Sequence, residues 1–237
     1  GGIAENFGTS FRLTDSNYFV VEADEYDTAY FDKGPKMWHY LPHVALVMNL
    51  EFDHADIYRD DIAYRFAFER FINLVPRNGT LVAGWESEAI RAMAAKSLAP
   101  VESFGITGER PAGAGGRPGA GREAPSAPGA EHPRWYADGI EYSPTGTVFN
   151  VYHDGACLGD VETALSGAFN VRNCLAAIAG AWAVGASWDG IREGLRTFRS
   201  VRRRMEVRGE VRGVTVIDDF AHHPTAVRGT IEATRQR

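Results

Sequence analysis

Val20-Val21-Glu22-Ala23-Asp24-Glu25-Tyr26-Asp27 and Met48-Asn49-Leu50-Glu51-Phe52-Asp53-His54-Ala55-Asp56 decide the fold. Each is an apolar, β-branched run that breaks into carboxylates, which predicts two buried strands with acids at their C-terminal ends. In open α/β sheets that edge is where ligands bind. Carboxylates crowded there repel one another unless a cation or a metal-bound phosphate lies among them, so a Mg²⁺ site is expected.

Working outward, strands are predicted over Tyr18–Ala23, Val44–Leu50 and Thr80–Ala83, with helical periodicity over Ile62–Leu74 and Glu86–Leu98. This alternation predicts crossover units of a mostly parallel sheet flanked by helices. Between Thr107 and Arg134 the chain turns to Gly, Pro, Ala and Arg with almost nothing to bury, and is expected to be a disordered surface insertion. Trp135–Ile140, Gly146–His153 and Ala156–Thr163 alternate around Asp138-Gly139 and Asp154-Gly155, both read as hairpin turns, so an antiparallel extension is expected. Asn170–Gly185 reads as a helix, and Ser187 as the cap of another ending near Phe198. After Arg202-Arg203-Arg204 the pattern restarts with Met205–Arg208 and Val214–Ile217, and a helix begins near Pro224. The restart divides the chain into a first domain over 1–200, with the insertion at 107–134, and the start of a second α/β domain over 201–237.

The 237 residues carry a net charge of -6 and no basic block, which argues against nucleic acid as main partner. Cys157 and Cys174 show no metal-ligand spacing and read as two isolated buried thiols. No apolar run approaches the ~18 residues of a membrane span, and no signal-peptide pattern opens the chain, so a cytoplasmic location is expected. The chain lacks an initiator Met and stops inside a helical pattern, and is expected to be part of something longer. No Ser/His/Asp or Cys/His arrangement suggests a nucleophile.

Four ordered motifs, Val21–Asp27, Asn49–Asp56, Asn170-Val171-Arg172-Asn173 and Asp218-Asp219-Phe220-Ala221-His222-His223-Pro224-Thr225, resemble the ATP-dependent muramyl-peptide ligases, or Mur ligases. The resemblance covers the chain apart from the insertion. It implies a central Mur-ligase ATPase domain followed by the start of a Rossmann-like C-terminal domain, with ATP and Mg²⁺ as cofactors. The wording of the first two motifs implies the joining of UDP-N-acetylmuramate to L-alanyl-γ-D-glutamyl-meso-diaminopimelate through an acyl phosphate, in peptidoglycan metabolism. L-alanine as the acceptor, or a non-catalytic nucleotide-binding relative, are the alternatives.

By the same resemblance Glu22 and His54 are the metal ligands, Asn170 pairs with adenine, Arg204 contacts nucleotide phosphates, Asp219 binds ribose hydroxyls and His222 lies near the phosphates or acyl group. Beside these stand a strand-end salt bridge for Glu22, a polar loop residue for His54, an N-cap for Asn170 and a solvated linker for the arginine run. Carboxylate oxygen suits Mg²⁺, whereas imidazole is an unusual partner for it, so His54 rests on the resemblance. Relatives commonly carry a His before the Asn, where this chain has Phe169. Lys33, Lys36 and Lys96 are the only lysines, so the carbamylated lysine of some members, on the helix after the His motif, has no counterpart. No phosphate loop Gly-x-x-x-x-Gly-Lys-Ser/Thr occurs in the sequence, and these 237 residues alone are expected to be inactive.

Overall fold

A computed structural model describes residues 2–52, 57–106 and 132–236. Asp53, His54 and Asp56 of the second acidic motif, and most of the Gly/Pro-rich insertion, lie outside the described residues.

The chain first forms a small antiparallel pair, β1 (Asp27–Ala29) and β2 (Asp32–Pro35), leading into a 3-10 turn at Lys36–His39. The main sheet then begins with β3 (Val44–Val47). It is followed by α1 (Asp61–Asn73), β4 (Thr80–Gly84), α2 (Glu88–Ala94) and β5 (Val101–Ile106). Next come β6 (Trp135–Ser143), β7 (Gly146–His153) and β8 (Ala156–Thr163). Helices α3 (Ala168–Ala183) and α4 (Trp188–Thr197) follow. The chain continues into the hairpin β9 (Glu206–Val211) and β10 (Val214–Asp218), and then α5 (Pro224–Gln236).

The sheet has the order β3-β4-β5-β6-β7-β8, parallel from β3 to β6 and antiparallel from β6 to β8. Strand β4 explains why its sequence reads as a continuous apolar run. Leu81 and Ala83 point into the core beneath α1 and α2, and Val82 points into the opposite core beneath α3. All three are fully buried, as a parallel strand covered on both faces requires. Helix α1 is started by the Asp60 carboxylate accepting from the Ala63 N–H, and α4 by the Ser187 hydroxyl accepting from the Gly190 N–H. The β7–β8 hairpin closes through Asp154 (φ 48) and Gly155 (φ 84), both left-handed, as a type I′ turn demands.

Four expectations are corrected. Tyr18–Ala23 is not a strand: β3 pairs only with β4 among the described residues, so the run has no ladder to join, and Val20 is 95% exposed. Asp138-Gly139 is not a hairpin turn but a bulge inside β6, where the register against β7 slips, and the turn falls at Pro144-Thr145. The helix expected over Asn170–Gly185 starts earlier, from Gly167 with φ 94, so the alternative of Asn170 as its cap falls as well. Cys157 is exposed, while Cys174 is buried as expected.

Candidate active site

The parallel strands deliver their C-terminal ends to one edge, where α3 begins and α5 approaches. After β3, the Glu51 carboxylate accepts from the Asn49 amide at 3.1 Å and faces His223 Nδ1, from the turn before α5, at 3.0 Å. After β4, Glu86 accepts from the Ile106 N–H at 3.0 Å and pairs with Arg172 of α3 at 2.7 Å. Gly84, which ends β4, lies so close to the Met48 carbonyl that any Cβ there would overlap it. Asn170 donates through Nδ2 to the Ser166 carbonyl at 2.8 Å and accepts from Asn173 at 3.3 Å. An amide has two donor hydrogens and two acceptor positions, so one of each remains to meet a ligand.

Asp219 organises the turn between β10 and α5. Its oxygens accept from the Met205 N–H at 2.8 Å, the Ala221 N–H at 2.8 Å and the Thr230 hydroxyl at 3.2 Å. A carboxylate offers about four acceptor positions, so one is left beyond this structural duty. Arg203 and Arg204 both lie over the Phe220 ring, at 4.8 and 5.9 Å from its centroid, with their side chains exposed. His222 is exposed, its Nδ1 lying 3.0 Å from the Phe220 carbonyl oxygen.

Two acids of the first motif lie in separate ion pairs, and a third acid just beyond it meets a histidine. Asp24 meets Lys36 at 2.8 Å, Asp27 meets Lys33 at 2.6 Å, and Asp32 meets His39 at 3.1 Å. Lys36 donates a hydrogen bond to the Asp24 carboxylate, and this raises the Lys36 pKa. Burial, aided by nearby Glu25 and Asp24, pushes the Tyr58 phenol up to about 12, and its hydroxyl donates to the Glu25 carbonyl at 2.6 Å. Asp24 and Asp27 are therefore balanced by the chain's own lysines, and the number of acids alone does not call for a metal.

Glu22 is exposed, and an exposed carboxylate is the oxygen donor that a hard cation takes. Among the described residues no group of three or more His, Cys, Asp or Glu could hold a metal ion. Its intended partner His54 lies outside the described residues. The structure thus brings Asn170, Arg172, Glu51 and His223 to one sheet edge, and places Asp219, Arg204 and His222 around the turn that precedes α5. Glu51, Glu86, Arg172 and His223 went unassigned in the sequence reading. The signal for Glu86 is an acid two residues beyond the end of an apolar strand, as Glu51 is an acid four residues beyond the end of another.

A parallel sheet with an antiparallel extension, bearing polar residues at its strand ends, is the class of open α/β protein that binds ligands at a carboxyl edge. Residues 7–181 match the family described as the Mur ligase middle domain, and residues 203–237 match the Mur ligase, glutamate ligase domain. The chain belongs to the Mur ligase family. It is 36% identical, over all 237 residues, to UDP-N-acetylmuramate–L-alanyl-gamma-D-glutamyl-meso-2,6-diaminoheptandioate ligase of Haemophilus influenzae, of which it spans 47%. It is 33% identical over 236 residues to UDP-N-acetylmuramate–L-alanine ligase of Desulforapulum autotrophicum, spanning 45% of that protein. Among solved structures, the UDP-N-acetylmuramate:L-alanyl-gamma-D-glutamyl-meso-diaminopimelate ligase of Neisseria meningitides superposes with a TM-score of 0.66 at 36% identity, covering 86% of this chain and 57% of that one. The chain therefore spans about half the length of the curated relatives it matches. Among the described residues no helix is long and apolar enough to cross a membrane.

Proposed function

We propose that the chain forms most of the central domain, to about Ser200, and the opening of the C-terminal domain of an ATP-dependent ligase. This ligase joins UDP-N-acetylmuramate to L-alanyl-γ-D-glutamyl-meso-diaminopimelate in peptidoglycan recycling. The observation that carries the reading is the 36% identity to the tripeptide ligase of Haemophilus influenzae along the whole chain. The lactyl carboxylate of UDP-N-acetylmuramate takes the γ-phosphoryl group of ATP. The amine of the tripeptide's L-alanine then attacks the acyl phosphate, loses a proton and expels inorganic phosphate as the amide forms. The reaction needs charge neutralisation more than acid–base work, and the residues named fit that demand.

Glu22 and His54 would hold Mg²⁺, which when bound neutralises phosphoryl charge. Asn170 uses its remaining donor and acceptor on the adenine edge. Asp219 uses its remaining acceptor on a ribose hydroxyl, Arg204 reaches the phosphates and His222 the acyl group. The nucleotide substrates are water-soluble, which suits an enzyme of the cytoplasm.

The test is made on the longer protein that contains this chain, with ATP, UDP-N-acetylmuramate and either the tripeptide or L-alanine, followed by phosphate release. Release that depends on the tripeptide is expected, and Glu22→Gln should abolish it. Release with L-alanine alone would transfer the chain to the alanine-adding enzymes, and nucleotide binding without acceptor-dependent release would make it a non-catalytic relative.

A further inference from the structure

We propose that residues 3–6 form a clasp that holds the interdomain junction and sets the position of Arg204, with Asn6 as its positioning residue. The junction runs from the end of α4 to β9. Within it Ser200, Arg203 and Met205 have φ of 88, 61 and 52, left-handed conformations that non-glycine residues keep only when their surroundings over-determine them. Two sets of hydrogen bonds, one on each side, supply that constraint.

On one side lies the N-terminal segment, 191 residues away in sequence. Asn6 donates through Nδ2 to the Thr197 carbonyl at 2.7 Å and accepts through Oδ1 from the Arg199 N–H at 2.7 Å. The Glu5 N–H donates to the Ser200 carbonyl and the Arg202 N–H to the Ile3 carbonyl, each at 3.0 Å. Ala4 is bridged to Val201, and also to Thr9, so the segment is itself folded back and presents a fixed edge. On the other side stands the Asp219 turn. Met205 N–H donates to the Asp219 carboxylate at 2.8 Å, Phe220 N–H donates to the Arg203 carbonyl at 2.9 Å, and the Phe220 ring lies beneath Arg203 and Arg204.

Arg202-Arg203-Arg204 is therefore threaded between a clasp from the start of the chain and the turn that carries Asp219. Loosening either side frees the arginines to move. Asn6 is the clasp's one side chain that bonds the junction backbone twice, completing the polar groups of two different residues. Arg204's contact with nucleotide phosphates belongs to the ligase reading above. The mechanical half of the proposal does not depend on it.

Hydrogen exchange on the unaltered chain is the first test. The amides of Glu5, Arg199 and Arg202 should exchange slowly and together, as one opening unit. Exchange as free as that of exposed loop amides overturns the clasp. Asn6→Ala should then speed exchange at Arg202, which Asn6 does not touch, and should raise trypsin cleavage after Arg199 and Arg202 about tenfold, as loss of two hydrogen bonds implies when cleavage follows the open population. Asn6→Asp, which keeps the acceptor for Arg199, should fall between. Unchanged cleavage in a folded Asn6→Ala also overturns the clasp.

In the longer enzyme, Asn6→Ala should raise KM for ATP and leave KM for UDP-N-acetylmuramate unaltered. A loosened junction with KM for ATP unmoved overturns the positioning of Arg204 and leaves the ligase reading standing. Absence of turnover in the unaltered enzyme overturns the ligase reading and leaves the exchange result standing.

Discussion

Burial separates the two thiols. Cys174 faces the core under α3, where desolvation pushes its pKa up to about 12, while Cys157 on β8 is exposed. The thiolate is the reactive species, so at pH 8 the native chain should consume one equivalent of a thiol reagent rapidly and the second only after denaturation. Two fast equivalents in the native state would contradict the placement of Cys174. Asp154 makes a different residue-level statement. Its carboxylate accepts from the Arg134 guanidinium, at 2.8 Å from Nε, and that hydrogen bond holds its pKa below the ordinary aspartate value. A depressed folded-state pKa stabilises the fold above the unfolded value near 4, and the contribution fades as the pH falls through the lower folded value. Asp154→Asn keeps a residue that tolerates the left-handed turn, so it isolates the charge. The variant should lose about 0.5–1 kcal/mol at pH 7, the small value of a pair open to solvent, and the difference from the parent should vanish toward pH 2 in denaturant titrations.

Central and edge strands predict unequal sensitivity. Leu81 in β4 is fully buried in the core at 0% exposure, so Leu81→Ala should cost about 2–5 kcal/mol in a denaturant titration. Leu46, in β3 at the sheet edge, is 39% exposed, and Leu46→Ala should cost clearly less. Equal losses would mean that β3 is covered in solution. Ser187→Ala, which removes the cap of α4, should cost about 1 kcal/mol. The elements legible in the sequence were those whose local chemistry and burial agree. Gly146–His153 and Ala156–Thr163 keep the bounds their sequence predicts because they flank the turn at Asp154-Gly155, and Ser187 caps α4 as its hydroxyl predicts. What escaped depended on partners far away in sequence. Val101–Ile106 contains a Glu and a Ser among few apolar residues, and it is a strand because β4 and β6 flank it. Glu102 is kept there by accepting from Trp135 and Arg134. Tyr18–Ala23 shows the converse, a strong β pattern with no ladder. At the site, Asn170 and Asp219 were legible as motif residues, but their existing hydrogen bonds, and the Glu51–His223 pair, arise only from tertiary approach.

The molecule as a whole has unevenly distributed cover. Its two buried clusters enclose the sheet from β3 to β8, yet the C-terminal hairpin is bare: Val207, Val211, Val214 and Val216 are 44 to 66% exposed, and Ile231 of α5 is 49% exposed. Phe11, Leu13, Phe19 and Val20 form a second open stretch, 71 to 95% exposed. Exposed apolar residues gathered in this way, some on a hairpin that pairs with no other strand among the described residues, are an invitation to self-association. The 237-residue chain on its own should therefore bind a hydrophobic dye in its native state and sediment faster as concentration rises. Val211→Lys and Val214→Lys together should weaken both effects without altering the far-ultraviolet circular dichroism, since neither side chain is buried in the hairpin. The relatives are about twice as long, so a protein of their length would have further chain available to cover the same valines, and dye binding by it should be weaker. If dye binding and sedimentation of the isolated chain are those of an ordinary compact monomer, the hairpin must be covered within these 237 residues, and the exposure assigned to β9, β10 and α5 is wrong.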